Sequence, residues 1–286
     1  MKKIIIYITS AILTLPAIHS CKKSGDGGSG TKAVFSYVAD GFNVNFTNFS
    51  KNASEFSWDF NDGSNETSTK KSPQHIFKSK GDFLVTLTAK QGSATSTFTD
   101  TVSIIGPNIK IDGDFTDWQY VDYSFTNTDP AGGNLLAIKT FASSTDVFFL
   151  LEGTPDMKFE IIDMYIDADN KPNTGFTTGS WPLGSGADFL IEGSLVGGWG
   201  SLYEHTGDPL SFSFNPLYDI SDVMYYSAIK TVSGKNIIEF SIKKDKLGTT
   251  KGFINYAIVE STSGYAQVGA IPANGTASSG FGSIKL

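Results

Sequence analysis

Cysteine and histidine are almost absent from this 286-residue chain: Cys21 is its one cysteine, and His19, His75 and His205 are its three histidines. A lone cysteine excludes an internal disulfide. His19 falls in the N-terminal 20 residues and His205 stands alone in the C-terminal part, so the chain offers no convincing Ser–His–Asp triad or zinc constellation. Positive charge is in deficit, with 22 Lys+Arg against 29 Asp+Glu and a net charge of −7, which excludes nucleic acid as an expected partner. No long helical hydrophobic period occurs, and no second apolar run as long as the N-terminal one follows it. What the chain has instead is 40% hydrophobic residues, 18% charged residues and 13% aromatics, 22 of them Phe and 11 Tyr. That balance supports a folded, β-rich core and excludes wholesale disorder.

The N-terminus reads "MKKIIIYITSAILTLPAIHSC". Lys2 and Lys3 precede an apolar stretch, Ile4 to Ile18, that is too short and interrupted to span a bilayer, so residues 1–20 read as a secretory signal. "IHSC" resembles the bacterial lipobox, which implies cleavage before Cys21 and acylation on it; a free thiol is the alternative. "KKSGDGGSGTK" then makes residues 21–32 a flexible tether of roughly 35 Å when extended. The expected membrane contact is through the lipid alone.

Residues 33–106 carry short alternating runs such as "NVNFTNFS" and "DFLVTLTAK", the pattern of a β-sandwich. "FSWDFNDGS" and "SPQHIFKSKGDFLVTLTA" resemble the signature of polycystic kidney disease (PKD) repeats. Asn61 departs from the usual glycine, but asparagine tolerates the left-handed conformation such a turn requires. Trp58 is expected in the core, and Asp59 and Asp62 are expected to tie the turn through backbone N–H groups, a structural role and not a catalytic one.

Residues 107–286 follow the "IGPN" break and show at least eight further apolar runs, predicting a larger antiparallel sandwich. The fold class is therefore all-β, two sandwiches in series. In "IIDMYID", Ile162, Met164 and Ile166 share one face and Asp163, Tyr165 and Asp167 the other; "ADFLIE" separates Phe189 and Ile191 from Asp188, Leu190 and Glu192. Paired as a hairpin, these strands would crowd carboxylates on one face, where like charges repel. Asp167, Asp169 and Asp188 are the candidate metal ligands. The stretch "DADN" has the oxygen density of a Ca²⁺ loop but fails the EF-hand template at Lys171, and an Asx-rich turn accounts for it equally well.

"IDGDFTDW", "MYIDADNKPNTGF" and "GADFLIE" together resemble the segments of family-nine carbohydrate-binding modules and their DOMON-like relatives. The resemblance implies a β-sandwich, often with structural calcium, that binds sugar through aromatics. The tryptophan at position 118 would be packed in the core. Trp181 and Trp199, both flanked by glycines, are the expected ligand platforms, with Tyr203 and Glu204 (and His205) sharing the rim of Trp199; the alternative is that both rings fold back onto the core. DOMON-like proteins also bind haem, but Met157, Met164, Met224 and His205 form no axial pair, so haem is not expected.

The leading expectation is a non-catalytic lipoprotein of the outer membrane, exposed on the cell surface, that captures polysaccharide or oligosaccharide for a glycan-import complex. An adhesin that binds protein partners is the alternative. A glycoside hydrolase using Asp163, Asp167, Asp188 or Glu192 is the third reading.

Overall fold

The computed structural model describes residues 30–286, so the signal, Cys21 and nearly all of the tether lie outside the described residues. The first unit contains β1 (Phe35–Asp40), β2 (Asn43–Asn48), β3 (Glu55–Asp59), β4 (Thr67–Ser68), β5 (Gln74–Ile76), β6 (Gly81–Gln91) and β7 (Ala94–Ile104). They form two antiparallel sheets, β1-β2-β5 and β4-β3-β6-β7. Trp58 lies fully buried between them, packed against Phe35 and Phe46, and its indole N–H donates to the Lys70 carbonyl at 2.9 Å. The signature turn is tied as its residues require. Asn61 sits at φ 48° and donates to Asp59 Oδ1, while Asp62 accepts from the Ser64 backbone and pairs with His75 at 2.7 Å.

The second unit adds thirteen strands. They are β8 (Tyr123–Thr126), β9 (Leu135–Ala142), β10 (Asp146–Gly153), β11 (Ile161–Asp167), β12 (Phe189–Ser194), β13 (Trp199–His205), β14 (Phe214–Asp219), β15 (Met224–Tyr226), β16 (Lys230–Val232), β17 (Lys235–Lys243), β18 (Phe253–Ser261), β19 (Gln267–Ile271) and β20 (Gly282–Lys285). The smaller sheet runs β15-β17-β10-β9-β8, with β16 on β17; the larger runs β14-β13-β12-β11-β18-β19, with β20 on β18. All pairings are antiparallel. The inward faces follow the period-two pattern: Ile162, Met164 and Ile166 of β11, with Phe189 and Ile191 of β12, join Phe149, Phe240 and Tyr256 in one core. Phe149 stacks on Phe240 at 4.8 Å and meets Tyr256 edge-on.

The junction between the units is packed. Residues 107–121 lie over the outer face of the smaller sheet, where Trp118, Val121 and Ile109 cover Phe141, Leu150 and Ile237. The Trp118 indole donates to Glu239 Oε2, and the backbone N–H groups of Asp112 and Gly113 donate to Glu239 Oε1. Trp118 is thus a buried core residue, as the resemblance implied. The first unit joins the same apolar cluster: Phe42 meets Phe141 edge-on at 6.2 Å, and Lys80 Nζ donates to the Ala142 carbonyl at 2.6 Å. No helix among the described residues is long and apolar enough to cross a membrane.

Candidate functional site

The loop from Ala168 to Asp188 joins β11 to β12, and acids gather at its base. Asp188 Oδ2 accepts from the backbone N–H groups of Ala168 and Asp169 at 2.9 and 3.1 Å. Asp167, 2% exposed, accepts from Lys171 N at 3.2 Å and from Asn255 Nδ2 at 3.0 Å. Asp169 is held by Lys171 Nζ at 2.6 Å and by Thr174 Oγ1 at 3.3 Å. One oxygen from each of these three carboxylates lies within 4.8 Å of the others. Burial, and after it the charges of Asp169 and Asp167, push the Asp188 carboxyl above its ordinary value despite its two backbone donors. The set fits a hard cation: all donors are oxygens, the charge is concentrated, and Lys171 is the sole lysine bonded to it among the described residues.

Beyond its base the loop does not stand out into solvent. It crosses itself where Phe176 and Ala187 exchange backbone hydrogen bonds at 2.8 and 2.9 Å. Two glycines permit that crossing: a Cβ on Gly175 would lie 2.4 Å from the Ala187 carbonyl oxygen, and one on Gly186 would lie 2.8 Å from Pro172 Cα. The middle of the loop is stitched to residues 272–280, through Leu183 N to Ser279 O, Gly275 N to Ser180 O and Ser279 Oγ to Ser180 O. Trp181 is consequently only 1% exposed. Its indole N–H donates to the Pro272 carbonyl at 3.0 Å, and its ring packs on Ala257, Val259 and Ala270 beside Tyr165 and Phe281. This corrects the expectation of a stacking platform at Trp181: the ring offers no free face, because the loop folds back onto the outer face of the larger sheet.

Trp181 covers the β18–β19 side of that face, and Phe176 of the same loop reaches His205 and Phe214 at the far ends of β13 and β14. On the β12–β13 side, Trp199 is 49% exposed at the start of β13. Its indole lies over Gly197, where a Cβ would approach Cδ1 and Nε1 to 2.8 Å, so the glycine makes room for the ring. Gly197 N donates to Ser194 Oγ and Gly198 N to Ser194 O, closing the turn before Trp199. Regular pairing of β13 with β12 puts Trp199, Ser201 and Tyr203 on one face and sends Glu204 to the other. Glu204 therefore does not share the rim of Trp199, which corrects a second expectation: adjacency in a strand separates side chains.

The hairpin that crowds carboxylates on one face forms as expected, and its register brings Asp163 and Glu192 together in the floor of that face. They face each other directly across β11 and β12, and Glu192 faces Ser201 across β12 and β13. Burial first, then the charge of Glu192, push the Asp163 carboxyl from 3.8 up to about 7. Asp163 Oδ1 is buried without a protein partner. Neighbouring Tyr165 is raised as well, by burial and by the same two acids. At the far end, Phe176, Phe212 and Phe214 meet edge-to-face, and His205 meets Phe214 edge-on and Phe176 at a tilt, with Phe212 60% exposed. The open half of the face thus combines an indole, a phenol ring and paired carboxyl groups.

Residues 25–105 match the family model described as PKD domain. None of the curated proteins matches the chain. Among solved structures, the first unit is similar to the PKD1 domain of the Vibrio cholerae metalloprotease PrtV, at 28% identity over 26% of this chain and 96% of that one, with a TM-score of 0.25. It is also similar to the PKD1 domain of Vibrio anguillarum Epp, at 26% identity over 27% of this chain and 96% of that one, TM-score 0.26. A family 9 carbohydrate-binding module from Caldicellulosiruptor kristjanssonii, in complex with cellotriose, aligns with 63% of this chain and 89% of its own length, at 15% identity and a TM-score of 0.36.

Proposed function

We propose that this chain, in which a PKD-type unit precedes a larger antiparallel β-sandwich, binds a polysaccharide or oligosaccharide on the open half of the larger sheet's outer face and does not transform it. The observation that carries this reading is the half-exposed Trp199 on the same face as Tyr203 and the Asp163–Glu192 pair. A pyranose has an apolar C–H face that packs on an indole and hydroxyls at its rim that need acceptors. An aromatic platform beside carboxylates supplies both. In the same reading, Ca²⁺ at Asp167, Asp169 and Asp188 pins the base of the loop that lids the other half. Acylation of Cys21 holds the protein on the outer membrane, exposed at the cell surface, where bound glycan passes to an import complex.

Affinity electrophoresis across a polysaccharide panel tests the face. Trp199→Ala should weaken retention about tenfold, on the scale of one lost stacking contact, with unchanged thermal stability. Equal retention of wild type and Trp199→Ala on every glycan that binds would remove the assignment. Hydrolysis is the second reading, favoured by two opposed carboxyl groups of which one is raised toward neutrality, the pairing glycosidases use. Release of reducing ends by wild type, lost in Glu192→Gln, would establish it in place of simple binding.

A further inference from the structure

The molecule buries two glutamates completely and treats them differently. Glu239, 0% exposed, has both oxygens occupied by the N–H groups of Asp112, Gly113 and Trp118. Glu260, 1% exposed on the inward face of β18, has only one oxygen served: Oε1 accepts from the backbone N–H groups of Lys158 and Phe159 at 2.6 and 3.1 Å. Its Oε2 is buried with no protein partner. A buried carboxylate oxygen without a donor is costly, and Glu239 shows that this fold can satisfy both oxygens.

Glu260 lines a pocket of about 250 Å³ between β18 and the connection from β10 to β11, at the opposite end of β11 from the Asp167 loop. Asp156, Glu160, Asn134 and Ser261 also line it, so the donors are carboxylate, amide and hydroxyl groups, with no sulfur or imidazole. Lys158 is present at the exposed rim but forms no ion pair with these acids among the described residues. The connection is held in an uncommon backbone state: Phe159, a buried aromatic, sits at φ 50°, where bulky residues are disfavoured. That conformation lets two successive N–H groups converge on Oε1 and leaves Oε2, in a residue that lines the pocket, without a donor.

We propose that Glu260 is the inner ligand of a second cation site, which takes a hard, oxygen-preferring divalent ion of calcium size. The ion is held through Oε2, pocket oxygens and water, with Asp156 and Glu160 supplying charge at the mouth. The acids here are not drawn together as tightly as Asp167, Asp169 and Asp188, so the ion keeps part of its hydration and binds weakly, at about 10⁻⁴–10⁻³ M. The site is independent of the glycan face, and its failure would leave that reading untouched.

The test uses the chain from residue 21 onward, stripped with chelator and titrated with CaCl₂ by calorimetry, beside Glu260→Gln and Asp188→Asn. Glutamine keeps an acceptor for Lys158 N and Phe159 N but removes the charge. Wild type should bind one more equivalent of Ca²⁺ at millimolar concentration than Glu260→Gln, and Asp188→Asn should retain that weak equivalent. A Glu260→Gln titration identical to wild type overturns the proposal. If Glu260→Gln does not fold, crystals of the wild-type chain grown in CaCl₂ decide: an anomalous peak about 2.3–2.6 Å from Oε2 supports the site, and water or no density there overturns it.

Discussion

Replacing Asp163 with asparagine should stabilise this protein, and more so as pH rises. Asp163 and Glu192 oppose each other across β11 and β12, and burial and that neighbour push the Asp163 carboxyl from 3.8 up to about 7. In the unfolded chain the same group titrates near its ordinary value. Between the two values the folded state holds a proton that the unfolded state has released, so stability falls as pH rises from about 4 toward 7. Below that window both states are protonated and the penalty vanishes; above it the penalty is complete. Moving a carboxyl from 3.8 to about 7 is equivalent to at most about 4 kcal/mol. The pair titrates jointly and its face is open to water on one side, which screens the charge, so about 2 kcal/mol is the expected gain. For a unit of this size that is about 4–8 °C in melting temperature. Thermal melts of wild type and Asp163→Asn from pH 4 to 8.5 should coincide at the acid end and separate steadily above it. Glycan affinity should move the other way, because the substitution replaces one carboxylate oxygen of the binding floor with an NH₂ donor and removes the charge. Melts that coincide at pH 8, or a gap widest at pH 4, would refute the reasoning.

Trp181→Ala should lower stability by about 3–5 kcal/mol, the range for truncating a buried aromatic, and leave the Trp199 face able to bind; calorimetry with affinity electrophoresis reads both effects. Chelation of Ca²⁺ should speed proteolysis within residues 168–188, and Asp188→Asn should make that cleavage insensitive to chelator, as mass-mapped fragments would show. Phe141→Ala, which removes the ring that meets Phe42, should cost about 3 kcal/mol and split a single calorimetric transition into two as the units uncouple. Acid should loosen the first unit. Burial raises the Asp62 carboxyl, but hydrogen bonds from Ser64 and His75 outweigh it and hold the group below 3.8, so this stability is present above the unfolded value and is lost as pH falls through the folded one. Asp62→Asn should abolish that share of the acid sensitivity.

Much of the fold was legible because its signals are local. Alternation in "IIDMYID" determined which residues of β11 face the core, whatever strand lay beside it, and the same held for Phe189 and Ile191. The turn after Trp58 was legible for a similar reason: Asp59 and Asp62 bond to groups two residues away. The acidic base of the loop was half legible, since Asp167 and Asp169 are neighbours and Asp188 comes to them through the hairpin.

The two tryptophans mark where local reasoning stops. Trp181 and Trp199 occur in equally glycine-rich surroundings, and composition treats them alike. Their fates depend on residues far along the chain. Trp181 is buried because Pro272 and Phe281, far along the chain, supply the carbonyl and the ring that clamp it, while the Ser279 hydroxyl ties down the carbonyl of neighbouring Ser180. Trp199 stays half exposed because no such clamp closes on its ring among the described residues. The all-β character, the inward faces of the strands and the acids of the loop are written in the order of residues alone, since each follows from spacing within one strand or turn. Which indole meets solvent, that Glu204 turns away from it, and that Asp163 stands directly against Glu192 follow from packing, because they depend on strand register and on long-range hydrogen bonds that close only once the sheets have packed.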